Sequence, residues 1–69
     1  MKKLAIIGSG DLGQLIAYHA TQDKQFEVVG FFDDFAEVNT TIESHKVLGR
    51  ISDIEIHYEQ NVFDVIICG

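Results

Sequence analysis

Short apolar runs, separated by polar or glycine-containing segments, organise the chain. Leu4 to Ile7 is an unbroken apolar run, and a second run extends from Phe26 to Phe32. The first run does not alternate apolar with polar residues, so it is predicted to be a strand that is buried on both faces, as in a parallel sheet covered by helices. The second run is predicted to be another buried strand. The first strand is assigned to residues 3–7 and the second to residues 26–32.

A helix is predicted between these two strands, from about Asp11 to Gln22. Apolar residues recur in this segment at positions i, i+3, i+4, i+7 and i+8, which is the spacing of one helix face. The residues of this stripe are Leu12, Leu15, Ile16, His19 and Ala20. This face is expected to pack against the sheet.

The segment that follows the second strand has no regular hydrophobic pattern. Residues 35–44 are predicted to be loop or extended chain, and Lys46 to Leu48, closed by Gly49, could form a short extra strand. Gly30 inside the second strand is expected to mark a β-bulge or a close approach of another backbone, because glycine otherwise weakens strands.

The last third of the chain combines a helix signal with a strand signal. Ser52 and Glu55 have the spacing of a capping box. Ile51 and Ile56 are placed as a hydrophobic staple, and together these features favour a short helix over residues 52–61. Alternating apolar and polar residues in the same stretch are also typical of a half-exposed strand. Val62 to Cys68 is predicted to be a third buried strand.

The order of these elements defines the fold class. A β-α-β-(irregular, helix)-β order is one mononucleotide-binding half of a doubly wound α/β, or Rossmann-like, fold. Right-handed crossovers give a short parallel sheet of strand order 2-1-3 with flanking helices. Residues 1–69 are therefore predicted to form one small domain. Because chains of this size seldom bury enough core alone, the domain is expected to belong to a longer polypeptide or an oligomer.

A glycine motif stands between the first strand and the helix. Gly8, Gly10 and Gly13 have G-x-G-x-x-G spacing. The first glycine is expected to make a tight turn, the second to leave room for a diphosphate, and the third to let the helix pack closely on the strand. The N–H groups at the start of the helix would face the anion. The predicted binding turn consists of Gly8, Ser9, Gly10, Asp11, Leu12 and Gly13.

Two carboxylates follow the second strand. Asp33 lies 20 residues after Gly13 (33 − 13 = 20), and an acid at this distance is placed to accept hydrogen bonds from ribose hydroxyls. Asp33 and Asp34 are therefore predicted to contact the nucleoside side of a ligand. In the alternative interpretation, the glycines serve only close packing and the acids only cap a turn.

Composition limits the other functions that the chain could have. A net charge of −6 provides no basic surface for nucleic acid or an anionic membrane. The chain has no signal-peptide pattern and no bilayer-spanning apolar run, and its one cysteine, Cys68, cannot form an intrachain disulfide; a cytoplasmic location is expected. His45 and His57 have no partner cysteines, so no metal site is predicted.

The chain resembles the N-terminal domain of the bacterial sugar O- and N-acyltransferases, the group of sialic-acid O-acetyltransferases and nucleotide-amino-sugar N-acetyltransferases. The resemblance covers nearly all 69 residues and rests on residues 3–10, 28–34, 47–49 and 64–69, of which Gly-Phe-Phe-Asp-Asp and Val-Leu-Gly are the most distinctive. It implies a domain that holds an acceptor sugar, often as a UDP conjugate. A C-terminal left-handed β-helix, which lies outside these residues, would bind acetyl-CoA, carry the catalytic histidine and form trimers.

The resemblance also assigns roles to individual residues. The diphosphate would be lined by Gly8, Ser9, Gly10 and Gly13. Asp33 and Asp34 would lie on the nucleoside side, and neither a catalytic residue nor a cofactor is expected in the chain itself. Asp11-Leu12 stands where the family commonly has Gly-His. An aspartate in the first helical turn complements the helix dipole, but it would repel a diphosphate if it pointed inward.

Two other functions are consistent with the same residues. One is the NAD-binding half of an oxidoreductase or a redox-responsive regulator, in which Asp33 would favour NAD over NADP because no arginine follows it. The lack of a full crossover helix between the second and third strands counts against this function. The other is an interaction module that has kept the fold and lost the ligand. This hypothesis is based on Asp11, whose charge in the turn would disfavour a bound anion.

Overall fold

Strands and helices follow the order β-α-β-β-β-α-β in a computed structural model that describes all 69 residues, Met1–Gly69. The strands are β1 (Lys2–Ile7), β2 (Phe26–Phe32), β3 (Thr41–Ile42), β4 (His45–Gly49) and β5 (Val65–Cys68). The helices are α1 (Asp11–Gln22), a 3₁₀ turn (Ile51–Asp53) and α2 (Ile54–Glu59).

The sheet has five strands in the order β3-β4-β2-β1-β5. Strand β1 pairs in parallel with β2 and β5, so the central β2-β1-β5 unit confirms the predicted order 2-1-3 and the Rossmann-like α/β class. Strand β4 is parallel to β2, whereas β3 is antiparallel to β4. The sequence predicted a wholly parallel sheet, and this was wrong: the antiparallel strand β3 makes the sheet mixed.

The core has one layer on each face of the sheet. The cluster under α1 consists of Ile6, Ala17 and Phe31. The cluster on the opposite face consists of Ala5, Phe32 and Phe63, with Ile54 of α2 packed against it. Neighbouring residues of β1 and β2 thus point to opposite faces, and both strands are buried on both sides because a helix covers each face.

Helix α1 packs on the sheet through a face that agrees with the predicted one only in part: Ile16 packs against the core cluster as expected. Its buried residues are Gly13 and Ala17, whereas Leu12, Leu15 and His19 are exposed. The reason is the close approach of the helix to β1 and β2, which only small residues permit. Periodicity located the helix correctly, but the leucines of the stripe were the wrong guide to its buried face.

Residues 35–44 contain a strand that the sequence analysis missed. Strand β3 forms a hairpin with β4, and its two-residue turn consists of Glu43 and Ser44, with φ values of 48° and 77°. Two consecutive positive φ values are typical of type I′ hairpin turns, for which Asn-Gly is the usual sequence. The extra strand predicted over residues 46–48 is confirmed as part of β4.

The helix predicted over residues 52–61 is confirmed as α2, which is shorter than predicted, is preceded by the 3₁₀ turn and is capped differently. The backbone N–H of Arg50 donates to the Asp53 carboxylate at 2.9 Å, so the acid of the cap is Asp53 rather than Glu55. Ser52 lies inside the 3₁₀ turn. Ile51 and Ile56 are 45% and 53% exposed and do not form a buried staple.

Strand β5 begins at Val65, not at Val62 as predicted. Asp64 precedes it and exchanges two hydrogen bonds with the backbone of Lys3, at 2.8 and 2.9 Å, which fixes the chain beside β1. Because β5 is an edge strand, Cys68 is exposed, although it was expected to be buried.

Gly30 marks both a bulge and a close approach, as predicted. The pairing of β1 with β2 skips Val29 at this point. A Cβ atom at Gly30 would lie 2.5 Å from the Lys46 carbonyl oxygen. The absence of a side chain therefore lets β4 lie close to β2.

Candidate functional site

The turn between β1 and α1 has the shape that the glycine motif predicts. Gly8 has a φ of +96°, a conformation that favours glycine, and its N–H donates to the Phe32 carbonyl at 2.8 Å. A Cβ atom at Gly13 would lie 2.0 Å from the Gly8 carbonyl oxygen. The first glycine therefore makes the turn, and the third allows α1 to pack directly on it.

Gly10 stands in open space at the start of α1. A Cβ atom there would meet no other atom within 4 Å. Gly10 is also the N-cap residue of the helix, and no side chain caps it. The first helical hydrogen bond runs from the Gln14 N–H to the Gly10 carbonyl at 2.9 Å. The space above Gly10 is therefore open to an incoming group.

The start of α1 presents a set of free hydrogen-bond donors at this open position. Their N–H groups make no hydrogen bond within the chain, and they belong to Gly10, Asp11, Leu12 and Gly13. Unpaired N–H groups and the positive end of the helix dipole are the two features that bind anions at helix N-termini. The turn can hold a phosphate or a carboxylate.

Asp33 lies at the same edge of the sheet and holds this turn. Its Oδ2 accepts two hydrogen bonds from Ser9, one from the backbone N–H at 2.8 Å and one from the hydroxyl at 2.7 Å. Its Oδ1 accepts the backbone N–H of Phe35 at 2.8 Å. The carboxylate therefore joins the end of β2 to the turn after β1.

The hydrogen bonds to Asp33 favour its ionised form. The Ser9 hydroxyl, followed by the backbone N–H groups of Phe35 and Ser9, lowers the pKa of the Asp33 carboxyl below its ordinary value. Partial burial acts in the opposite direction and is outweighed. Asp33 is therefore a carboxylate at neutral pH, and its negative charge lies beside Ser9 of the glycine turn.

Asp34 faces a different part of the molecule from Asp33. Its Oδ1 accepts the backbone N–H of Ile51 at 2.9 Å, so it binds the first residue of the 3₁₀ turn. The two neighbouring acids thus serve two separate segments. The structure does not bring Asp34 into the glycine turn.

Asp11 and Leu12 are exposed at the mouth of the turn. The Asp11 carboxylate accepts no hydrogen bond within the chain and does not cover the free N–H groups, and the Leu12 side chain is 59% exposed. Gln14, which was not among the predicted site residues, also contacts the turn: its Nε2 donates to the Ser9 carbonyl at 2.9 Å. Its position one residue after the motif is the only signal that could have identified it.

A groove lies to one side of this turn. Its volume is about 530 Å³, it lies between α1 and the β3–β4 hairpin turn, and it reaches the glycine turn only at Asp11 and Gln14. No group of three or more His, Cys, Asp or Glu side chains is placed to hold a metal ion. No helix has the length and apolar character needed to cross a membrane.

Comparisons with known proteins agree with this architecture. The solved structure of RSP, a Rex-family repressor, matches the chain with a TM-score of 0.80 and 28% sequence identity. The match covers 100% of this chain and 34% of the repressor chain, so the chain spans about a third of that protein's length. A comparison with curated protein sequences finds no match.

The family comparison covers almost the whole sequence. Residues 3–68 match the PglD N-terminal domain, from the second residue of β1 to the end of β5. The match includes the glycine turn and both carboxylates after β2. The chain belongs to the family of PglD N-terminal domains, as its resemblance to the sugar acyltransferases implied.

Proposed function

We propose that this domain binds the acceptor substrate, a UDP-linked sugar or a free sugar, of a cytoplasmic sugar acetyltransferase that uses acetyl-CoA. The observation that carries the proposal is the open turn at Gly10, where successive backbone N–H groups have no partner within the chain. Membership of the PglD N-terminal domain family supports an acetyltransferase context.

The electrostatics of the turn favour a ligand that carries phosphate. The chain has a net charge of −6, so a general attraction of anions to its surface is not available. Binding must depend on local donors, and the N-terminus of α1 supplies them together with the positive end of its dipole. A diphosphate fits this requirement better than an uncharged sugar does.

The domain's part in the reaction would be to position the acceptor. Acyl transfer to a sugar amine or hydroxyl needs a general base and a bound acyl donor. In our proposal both come from the β-helix that accompanies such domains in the sugar acyltransferases, and the trimer of that β-helix would set the oligomeric state. The residues of this chain would orient the sugar toward that site.

Heteronuclear NMR of the labelled domain tests the proposal directly. UDP and a UDP-amino sugar should shift the amide resonances of residues 10–13 and raise the melting temperature, whereas uridine, which carries no phosphate, should do neither. Gly10→Leu should abolish both responses, because the new side chain occupies the space above the free N–H groups. Ser52→Leu, on the exposed 3₁₀ turn, is the matched control and should respond like the wild type.

An NAD-binding half domain remains the second candidate, and one observation favours it. The likeness to a Rex-family repressor extends over the whole chain. A response of the same amides to NADH, with none to UDP or UDP-sugars, would replace the first proposal with this one. No response to any of these ligands would support a module that has lost its ligand.

A further inference from the structure

We infer that Ser9 determines which ligands the proposed site accepts, because its hydroxyl occupies the position on Asp33 that a ribose hydroxyl would need. The inference rests on the proposed function and sharpens it. The site would hold its ligand by phosphate at the start of α1, without recognition of the ribose diol by Asp33. The ligand class is then a sugar that carries a phosphate or a diphosphate. The nucleoside of a nucleotide-linked sugar would be held by residues other than Asp33.

The acceptor capacity of Asp33 is nearly exhausted within the chain. A carboxylate offers about four lone-pair directions for hydrogen bonds. Ser9 uses two of them, through its N–H and its hydroxyl, both on Oδ2. The Phe35 N–H uses a third, on Oδ1. The Ala36 N–H also stabilises this carboxylate. A ribose that presents two adjacent hydroxyls needs two free acceptor positions, and Asp33 retains at most one.

Burial makes the Ser9 hydroxyl difficult to displace. Ser9 is 7% exposed, and its hydroxyl donates to Asp33 at 2.7 Å, within the range of strong charge-assisted bonds. Rotation of the hydroxyl away from Asp33 would leave a buried donor unpaired, which is unfavourable. The Ser9 N–H bond to the same oxygen would persist, because it belongs to the backbone. A ribose hydroxyl would therefore compete with a donor that is already in place.

Asp33 becomes a positioning residue in this arrangement. It holds the Ser9 end of the turn, while the unpaired donors at Gly10 to Leu12 remain available to a ligand. In dinucleotide-binding turns an acid at this distance from the glycines contacts ribose. In this chain the same acid supports the turn from within.

Isothermal titration with UDP and with 2′,3′-dideoxy-UDP tests the inference, because the two ligands differ only in the ribose hydroxyls. Wild-type protein should bind them with dissociation constants within about twofold of each other. Ser9→Ala frees one acceptor position on Asp33 and keeps the backbone bond. This variant should bind UDP at least about tenfold more tightly than the dideoxy ligand, as expected for one added hydrogen bond to a charged group. Ser52→Ala, an exposed serine outside the site, should behave like the wild type.

Each remaining outcome overturns a specific part of the argument. A wild-type protein that already prefers UDP over the dideoxy ligand by fivefold or more would show that ribose reaches Asp33 despite Ser9. An unchanged preference in Ser9→Ala, or an equal loss of both ligands, would assign Ser9 to folding of the turn alone. The wild-type comparison stands even if the variant does not fold. Failure of wild-type protein to bind either ligand would instead overturn the proposed function.

Discussion

The turns that follow β1 and β2 lie at the same edge of the sheet. They differ in whether their hydrogen-bonding groups have partners within the protein. The turn after β1 ends in backbone N–H groups that have no partner, from Gly10 to Gly13. The turn after β2 begins with two carboxylates, Asp33 and Asp34, and both accept hydrogen bonds from the protein itself. The first turn keeps its donors available, whereas the second uses its acceptors internally.

This difference separates groups that remain available to a ligand from groups that support the backbone of the turn. A ligand can form hydrogen bonds only with groups that the fold leaves unpaired at an accessible position. The glycine turn meets this condition at Gly10, where no atom lies within 4 Å of a Cβ position. The acidic turn does not meet it, because Asp33 braces the glycine turn and Asp34 caps the 3₁₀ turn. The acids serve the site through the shape that they impose on the backbone.

Gly13→Leu should have the largest effect on the glycine turn. The Cβ atom would lie 2.0 Å from the Gly8 carbonyl oxygen, so α1 must move off the sheet. We expect a loss of at least about 3 kcal/mol in the free energy of unfolding, which leaves a domain of this size largely unfolded. Urea denaturation followed by circular dichroism measures this loss. Gly10→Leu is the matched control and should cost less than about 1 kcal/mol; equal losses would contradict the separation of roles within the motif.

Asp33→Asn should have the next largest effect on the free energy of unfolding, and it tests the role of the acidic turn after β2. The substitution removes the charge and places an amide near the Ser9 donors, so we expect a loss of about 2 kcal/mol. Asp34→Asn affects a single exposed hydrogen bond to Ile51 and should cost about 1 kcal/mol or less. Thermal and urea unfolding of both variants gives the comparison. A larger loss for Asp34→Asn than for Asp33→Asn would show that the hydrogen bonds between Asp33 and Ser9 contribute little to the free energy of unfolding.

The pH dependence of stability follows from the lowered pKa of Asp33, and the hydrogen bond from the Ser9 hydroxyl is the largest cause of this lowering. A carboxyl whose pKa is lower in the folded state contributes stability above its unfolded pKa, near 3.9, and loses it as pH falls through the folded value. Wild-type stability should therefore decline below about pH 4, and the gap between wild type and Asp33→Asn should narrow over the same range. Urea midpoints measured from pH 6 to pH 2 follow both curves. A gap that stays constant with pH would show that Asp33 is not the group responsible.

The sequence predicts the part of this arrangement that depends on local spacing. The glycine turn and the helix that follows depend on residues close together in the chain, and the strand order around β1 follows from right-handed crossovers; the structure confirms all three. The bulge at Gly30 was predictable for the same reason, since a glycine within an apolar strand is unfavourable unless close contact requires it.

Features that depend on distant partners were not predictable in the same way. The bonds between Ser9 and Asp33 join residues 24 positions apart, and they exist because the turn directs Ser9 inward. The buried face of α1 passes through Gly13 and Ala17 because close approach to the sheet selects small side chains over the leucines. The hairpin turn at Glu43 and Ser44 lacks the Asn-Gly sequence that normally identifies such turns.

The smallest expected effect concerns Asp11, the one acid at the mouth of the glycine turn. It is exposed and accepts no hydrogen bond within the chain, so its charge acts on a bound anion only through space. Asp11→Asn should therefore strengthen pyrophosphate binding by about two- to fivefold at low salt, the range expected for one charge at a helix terminus. Screening should remove most of this gain at 1 M salt, where the Debye length is about 3 Å. Glu55→Gln removes the same charge from the first turn of α2 and should leave binding unchanged. Weaker binding by Asp11→Asn would mean that the carboxylate contacts the ligand or an associated cation, and the glycine turn would then bind with a side chain as well as with its backbone.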